Sequence, residues 1–263
     1  MNLHFLIIDT QNDFANPTGS LFVPGADKDS ERLAAMLKRL MSDINEIHVT
    51  LDTHHWVDIA HPIFWVDNQG NHPTPFTIIT EDEVLNGKWK TTQPEHQARA
   101  TEYVKTLKAN GSYDLTVWPP HCLIGKVGHN VVTPIADALT EWEDTFATVD
   151  YVIKGENMWT EHYSAIKADL PDPDDPRTLL NTRLIDDLEK ADLIACSGQA
   201  LSHCVANTIR DIADNFDEKN ISKLVLIKDT TSPVAGYEEL GQQFVADMTA
   251  RGMQTAKSTE FLV

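Results

Sequence analysis

Short apolar runs recur along this chain, and four of them stop at, or lead straight to, a residue that can do chemistry. "HFLII" ends at Asp9, "EIHVTLD" at Asp52 and "YVIK" at Lys154, while "DLIACSG" leads into Cys204. Two more runs, "KLVLIKD" and part of "MQTAKSTEFLV", read as closing strands. Between them lie segments with helical periodicity. "SERLAAMLKRLMSDI" puts Leu33, Leu37, Leu40 and Met41 on one face, and "VVTPIADALTEWE" carries Pro134 near its first turn. Val205, Ile209, Ile212, Ala213 and Phe216 share a face just after Cys204, and "YEELGQQFVADMTARG" closes at Gly252. Alternation of this kind predicts a single-domain α/β fold over residues 1–263, a doubly wound, mostly parallel sheet with helices on both faces. In such sheets ligands bind beyond the carboxyl ends of the strands. Asp9, Asp52, Lys154 and Cys204 all fall at that edge, which packing alone does not require. The stretch 65–113, with "NQGNHPTPF", "TEDEVLNG" and a helical "EHQARATEYVKTLKAN", breaks the alternation and reads as an insertion or lid.

Charge narrows the classes of partner. The chain has 40 acidic and 21 basic residues, a formal charge of −19, so neither nucleic acid nor an anionic membrane surface is expected as a partner. Three cysteines without a C-x-x-C pair indicate neither a disulfide scaffold nor a structural zinc ribbon. "MNLHFLIIDTQND" reads as a first strand and not a signal peptide, and no apolar run reaches membrane-span length. A cytoplasmic enzyme is the expectation.

Cys204 sits where a strand becomes a helix, among free backbone N–H groups and at the positive end of the helix dipole. Both favour a thiolate, as does a nearby Lys154; an ionised Asp9 opposes it. Together Asp9, Lys154 and Cys204 make a complete set for nucleophilic chemistry: a proton carrier, a cation and a nucleophile. Asp52 and His54 in "LDTHHWVDIAHP" are two apart and project to one face of an extended segment, with His55 pointing away. Asp with His suits zinc, iron or manganese. His61 is a possible further ligand, and His121 in "VWPPHCLIG" is held on a stiff approach by two prolines. His203 diverges from Cys204 by roughly 100° on a helix, so it reads as pocket wall or cap. Cys122 and Cys196 read as buried structural thiols.

These motifs carry a resemblance. The blocks "LIIDTQNDF", "DTHH" with a later "HP", "VWPPHC", "VIKG" and "SGQALSHCV" are similar, in order, to those of the nicotinamidase branch of the isochorismatase-like cysteine hydrolases. The resemblance implies that Asp9, Lys154 and Cys204 are a catalytic triad. It implies that Asp52, His54 and His121 bind a divalent metal, zinc first with iron or manganese as alternatives, and that His61 matches a fourth ligand of some members. Phe14 and Trp118 match residues that sandwich a substrate ring. Ala200 and Cys204 match the oxyanion-hole amides, next to a cis peptide. The implied activity is hydrolysis of nicotinamide or a close aromatic carboxamide to the acid and ammonia through a thioester, in a homo-oligomer. This sequence departs from the family at "Ala200-Leu201-Ser202", where "A-T-D" is common, and in its long insertion. Two rivals stay open: a cysteine hydrolase of another small amide or ureide, and a non-catalytic metal- and ligand-binding member.

Overall fold

The computed structural model describes all 263 residues. In chain order the elements are β1 (Leu3–Ile8), α1 (Asn12–Ala15), α2 (Ala26–Leu40), β2 (Ile44–Asp52), β3 (Trp65–Val66), β4 (Thr77–Ile79), α3 (Glu81–Leu85), β5 (Lys90–Thr91) and α4 (Gln97–Asn110). They continue with β6 (Leu115–Val117), α5 (Thr133–Glu143), β7 (Asp150–Lys154), α6 (Thr182–Glu189), β8 (Leu193–Gly198), α7 (Cys204–Asn215), β9 (Leu224–Ile227), α8 (Glu238–Ala250) and β10 (Gln254–Ala256).

Six strands form one sheet in the order β10-β9-β8-β1-β2-β7, and every pairing in it is parallel. All six residues of β1 are buried, as a central strand covered on both faces must be. Helix α2 packs on α5 and α7 on α8, closing a core that runs from Leu3 to Phe261. The chain lays β1, β2 and β7 outward in one direction and then returns to place β8 on the other side of β1. The strand order therefore reverses between β1 and β8, and the crevice of a doubly wound sheet opens there. All six expected strands are present.

The 65–113 segment is more ordered than a loop. β3 pairs with β5, and β4 with β6, both antiparallel. Its folded unit runs past the expected boundary, because β6 continues to Val117 and hands the chain directly to Trp118. Nor is it simply a lid. Tyr103 accepts a hydrogen bond from the Glu161 amide at 2.9 Å, and the Tyr113 ring lies 5.6 Å from that of His203, so the unit forms part of the pocket's backing. The helix expected over "SERLAAMLKRLMSDI" begins earlier, at Ala26, and stops at Leu40, since Ile44 already belongs to β2.

Candidate active site

Four strand ends meet at the crevice. Asp9 follows β1 with φ 46°, a left-handed turn that aims its carboxylate inward. Thr50 on β2 donates to Asp9 Oδ1 at 2.5 Å. From β7, the Lys154 ammonium lies 2.9 Å from Asp9 Oδ2 and donates to Asp52 Oδ1 at 2.9 Å and to the His162 carbonyl at 2.9 Å. Its distance to Cys204 Sγ is 3.7 Å. Asp9, Lys154 and Asp52 are buried, 0%, 3% and 4% exposed, so these charges interact with little solvent screening. Burial alone would lower the lysine pKa, but Asp52 and Asp9 overcome it and hold the ammonium well above its ordinary value.

Cys204 is the first residue of α7, and its amide lies among the orphan donors of that helix. The Ala200 and Cys204 N–H groups donate to no backbone carbonyl, and the Gln199–Ala200 peptide is cis. Gly198 makes this turn possible. It sits at φ 116°, and a Cβ there would come within 1.9 Å of the Ile8 carbonyl oxygen. The thiol differs from the expectation of a depressed pKa. Burial pushes it well above its ordinary value; Lys154 works against this, while Asp9 and Asp52 add to it. The lysine is near enough but already engaged by two carboxylates, so its pull on the thiol does not offset burial.

Beside this trio lies the histidine cluster. Asp52 Oδ2 is 3.0 Å from His54 Nε2 and 3.2 Å from His121 Nε2. These three residues are all buried, with ligand atoms within 4.8 Å of one another. The His61 ring packs 5.2 Å from that of His54 and 5.6 Å from that of His121. Each imidazole is oriented through Nδ1: His54 by Asp58 at 3.0 Å, His121 by the Pro119 carbonyl at 2.8 Å, His61 by the Trp56 carbonyl at 3.3 Å. That pattern leaves the Nε2 atoms for a metal. His61 Nε2 is buried without a partner, and burial lowers its pKa to about 4, so it is a neutral donor. Asp52 and Asp58 flank His54, so a cation at this cluster meets two buried carboxylates. Without a metal, His54 takes up that role: burial opposes its protonation, yet Asp52 and Asp58 hold it well above the ordinary imidazole range. The donor set therefore fits a divalent transition metal, whose binding would displace a proton.

Backbone contacts hold the two parts of the cluster together. The His54 amide donates to the Cys122 carbonyl at 3.0 Å, and Asp13 Oδ2 accepts the Cys122 amide at 2.7 Å. Gln11 clasps Asp52, donating to its carbonyl at 2.7 Å and accepting from its amide at 2.8 Å.

The pocket between trio and cluster is narrow, with about 30 Å³ of room for the centre of a water molecule. Phe14, Leu21, Trp118, Tyr163, His203 and Val234 line it with Cys204. Phe14 and Trp118 thus reach the same cavity, and His203 is a wall residue: Nδ1 shares a hydrogen bond with Ser202 Oγ at 2.8 Å, and burial lowers its pKa to about 4. Cys122 and Cys196 are free and buried. Sequence reasoning missed Glu161, Tyr163 and Asp58. Trp118 Nε1 donates to Glu161 Oε2 and to the Tyr163 hydroxyl, each at 3.1 Å. Burial, partly countered by His54, raises the Glu161 carboxyl to about 8. No periodicity marks "EHY" at 161–163; an acid among the histidines of "HHWVDIAHP" could have drawn attention to Asp58.

Solved structures share this architecture across nearly the whole chain. A yeast nicotinamidase bound to the inhibitor nicotinaldehyde superposes with a TM-score of 0.68 at 19% identity, covering 97% of this chain and 99% of that one. The chain carries the nicotinamidase fold. An Acinetobacter baumanii nicotinamidase/pyrazinamidase gives 0.66 at 20% identity, covering 98% and 97%. A Pyrococcus horikoshii pyrazinamidase in complex with zinc gives 0.59 at 16% identity, covering 98% and 99%. No family model matches the sequence, and no curated protein does. The nicotinamidase fold is therefore visible here in three dimensions at identities of 20% or less.

Proposed function

We propose that the whole chain is one amidohydrolase domain that converts nicotinamide, or a close aromatic carboxamide, to the acid and ammonia. The observation that carries this reading is the Lys154 ammonium, 2.9 Å from Asp9 and 3.7 Å from Cys204 at the wall of a pocket. Asp9 takes the thiol proton as Sγ attacks the carboxamide carbon. The Ala200 and Cys204 amides receive the developing oxyanion, a contribution of about 3 kcal/mol per donor. Asp9 returns the proton to the nitrogen as the C–N bond breaks, ammonia leaves, and a thioester remains. Asp9 then deprotonates a water that attacks the thioester and releases Sγ. Phe14 and Trp118 flank the ring. Asp52, His54 and His121, with His61, would hold the metal, zinc first, which when bound supplies a Lewis acid that orients the ring through its nitrogen. A reducing compartment, the cytoplasm, suits this chemistry, and all three cysteines are free. No helix is long and apolar enough to cross a membrane. We also infer a homo-oligomer, to be measured by light scattering.

The test is ammonia release from nicotinamide, benzamide and a set of aliphatic amides and ureides, with and without chelator. Nicotinamide should be the best substrate and slow on chelation; benzamide should be poor and little affected. His54→Ala should lose the metal and most nicotinamide activity while Cys204 still alkylates. Cys204→Ala should keep the fold and metal but lose turnover by about 10⁴-fold or more. Rapid acid quench and mass spectrometry should trap the thioester. Equal cleavage of nicotinamide and benzamide, untouched by chelation, would remove nicotinamide as the substrate. Absence of any thioester would leave a binding protein.

A further inference from the structure

We propose that His4, Glu46 and His48, at the opposite end of the sheet from the pocket, form a second metal site that takes a zinc-class divalent cation. Three ligand atoms converge there. His48 Nε2 is 3.2 Å from His4 Nδ1 and 3.6 Å from Glu46 Oε2, and His4 Nδ1 is 3.9 Å from Glu46 Oε2. A point in their plane equidistant from all three lies about 2.1 Å from each, the length of a zinc–nitrogen or zinc–oxygen bond.

A break in strand register makes the convergence possible. Leu3 faces Ile44, but His4 faces Glu46, so Asn45 is an extra residue in β2. Its Oδ1 accepts the Leu3 amide at 2.8 Å. Regular pairing would set His4 opposite Asn45 and turn Glu46 and His48 to the other face of the sheet. The bulge instead brings all three to one face, and bulges are a common device for re-aiming a side chain.

The surroundings are those of a ligand set. His48 Nδ1 is 2.9 Å from Asp150 Oδ2, and Asp150 is itself held by Arg183 at 3.0 Å. A carboxylate on Nδ1 fixes the ring and leaves Nε2 as the donor. Both imidazoles are buried, 0% and 1% exposed, while the Glu46 side chain is 50% exposed. The third ligand thus stands at the surface, giving the ion an entrance from solvent. Nε2 of His4 has no partner with or without an ion, so it does not bear on occupancy. Two imidazoles and one carboxylate select zinc, cobalt, nickel or copper over magnesium and calcium. His4 lies five residues before Asp9, and His48 four before Asp52, so the cluster is roughly 13–16 Å from the site and the reaction makes no use of it. An ion here would tie β1 to β2 and stabilise the native state by mass action.

The experiment uses untagged, metal-stripped full chain carrying His54→Ala and His121→Ala, which silence the cluster beside the pocket. Cobalt(II) should bind with one equivalent and give visible ligand-field absorption, and zinc should raise the melting temperature. Adding Glu46→Gln should weaken cobalt binding by at least about tenfold and abolish the zinc-induced shift. Failure to bind cobalt stoichiometrically, or binding that Glu46→Gln leaves as tight, overturns the site. Should the double variant not fold, metal content of the wild-type chain against Glu46→Gln decides: a loss of one equivalent is expected, and equal content overturns the proposal. Ammonia release by metal-loaded Glu46→Gln should match wild type.

Discussion

Lys154 is the ammonium that separates the buried carboxylates of Asp9 and Asp52. Replacing it by Met leaves Asp9 and Asp52 facing each other in a buried space. Removing one partner from such a network costs about 3–5 kcal/mol, so Lys154→Met should lose that stability in a urea titration as well as turnover. A variant that unfolds at the wild-type midpoint would mean that one carboxylate is already protonated. Glu161 gives a pH-dependent prediction. An unfolded chain titrates this residue near 4.5 and the folded one near 8. Between those values the folded state keeps a proton that the unfolded state releases, so the contribution is full below about 4.5 and is lost as pH rises through 8. Glu161→Gln should flatten the decline in urea midpoint between about pH 4.5 and 8; an unchanged slope would assign the decline elsewhere. At this scale the sequence was legible where a residue ended an apolar run. Asp9, Asp52, Lys154 and Cys204 announce themselves that way. Asp58 and Glu161 do not, because what makes them matter is burial against side chains distant in sequence. The thiol shows the limit of local reasoning: the helix terminus and lysine are visible in the sequence, but the pair of carboxylates competing for that lysine is a property of the assembled site.

Among the elements, the junction of β8 and α7 has the least freedom. Gly198 combines a positive φ with contact on the Ile8 backbone. Gly198→Ala must therefore push β8 from β1 and carry the Ala200 and Cys204 amides with it. A loss of about 1–3 kcal/mol is expected, with turnover falling further than iodoacetamide labelling of Cys204. Wild-type stability and activity in this variant would show that the turn can relax. The inner strands β1, β8 and β9 could be read from apolar runs because a parallel sheet buried on both faces demands continuous hydrophobicity, whereas the edge strands β7 and β10 leave Tyr151, Ile153 and Gln254 exposed. The 65–113 unit resisted because β3, β4, β5 and β6 are two or three residues long and hold by pairing, with too few positions to show a period.

Over the whole molecule, a formal charge of −19 means that the folded state compresses like charges. Raising sodium chloride from low concentration to ~0.5 M should raise the melting temperature by a few degrees as the Debye length falls below ~5 Å. KM for a neutral amide should stay constant over the same range. A melting temperature indifferent to salt would place the acidic residues in compensated pairs. One more consequence follows from the strand order. β1 is central, yet its neighbour β8 lies about 190 residues later in the chain. A ribosome adding ~5–20 residues per second takes roughly 10–40 s to cover that interval. For that time the nascent chain presents an unpaired apolar edge, and Asp9 stands without the strand that leads to Cys204. Translation speed and chaperone supply, more than the stability of the finished protein, would then set how much of this chain a cell recovers in active form.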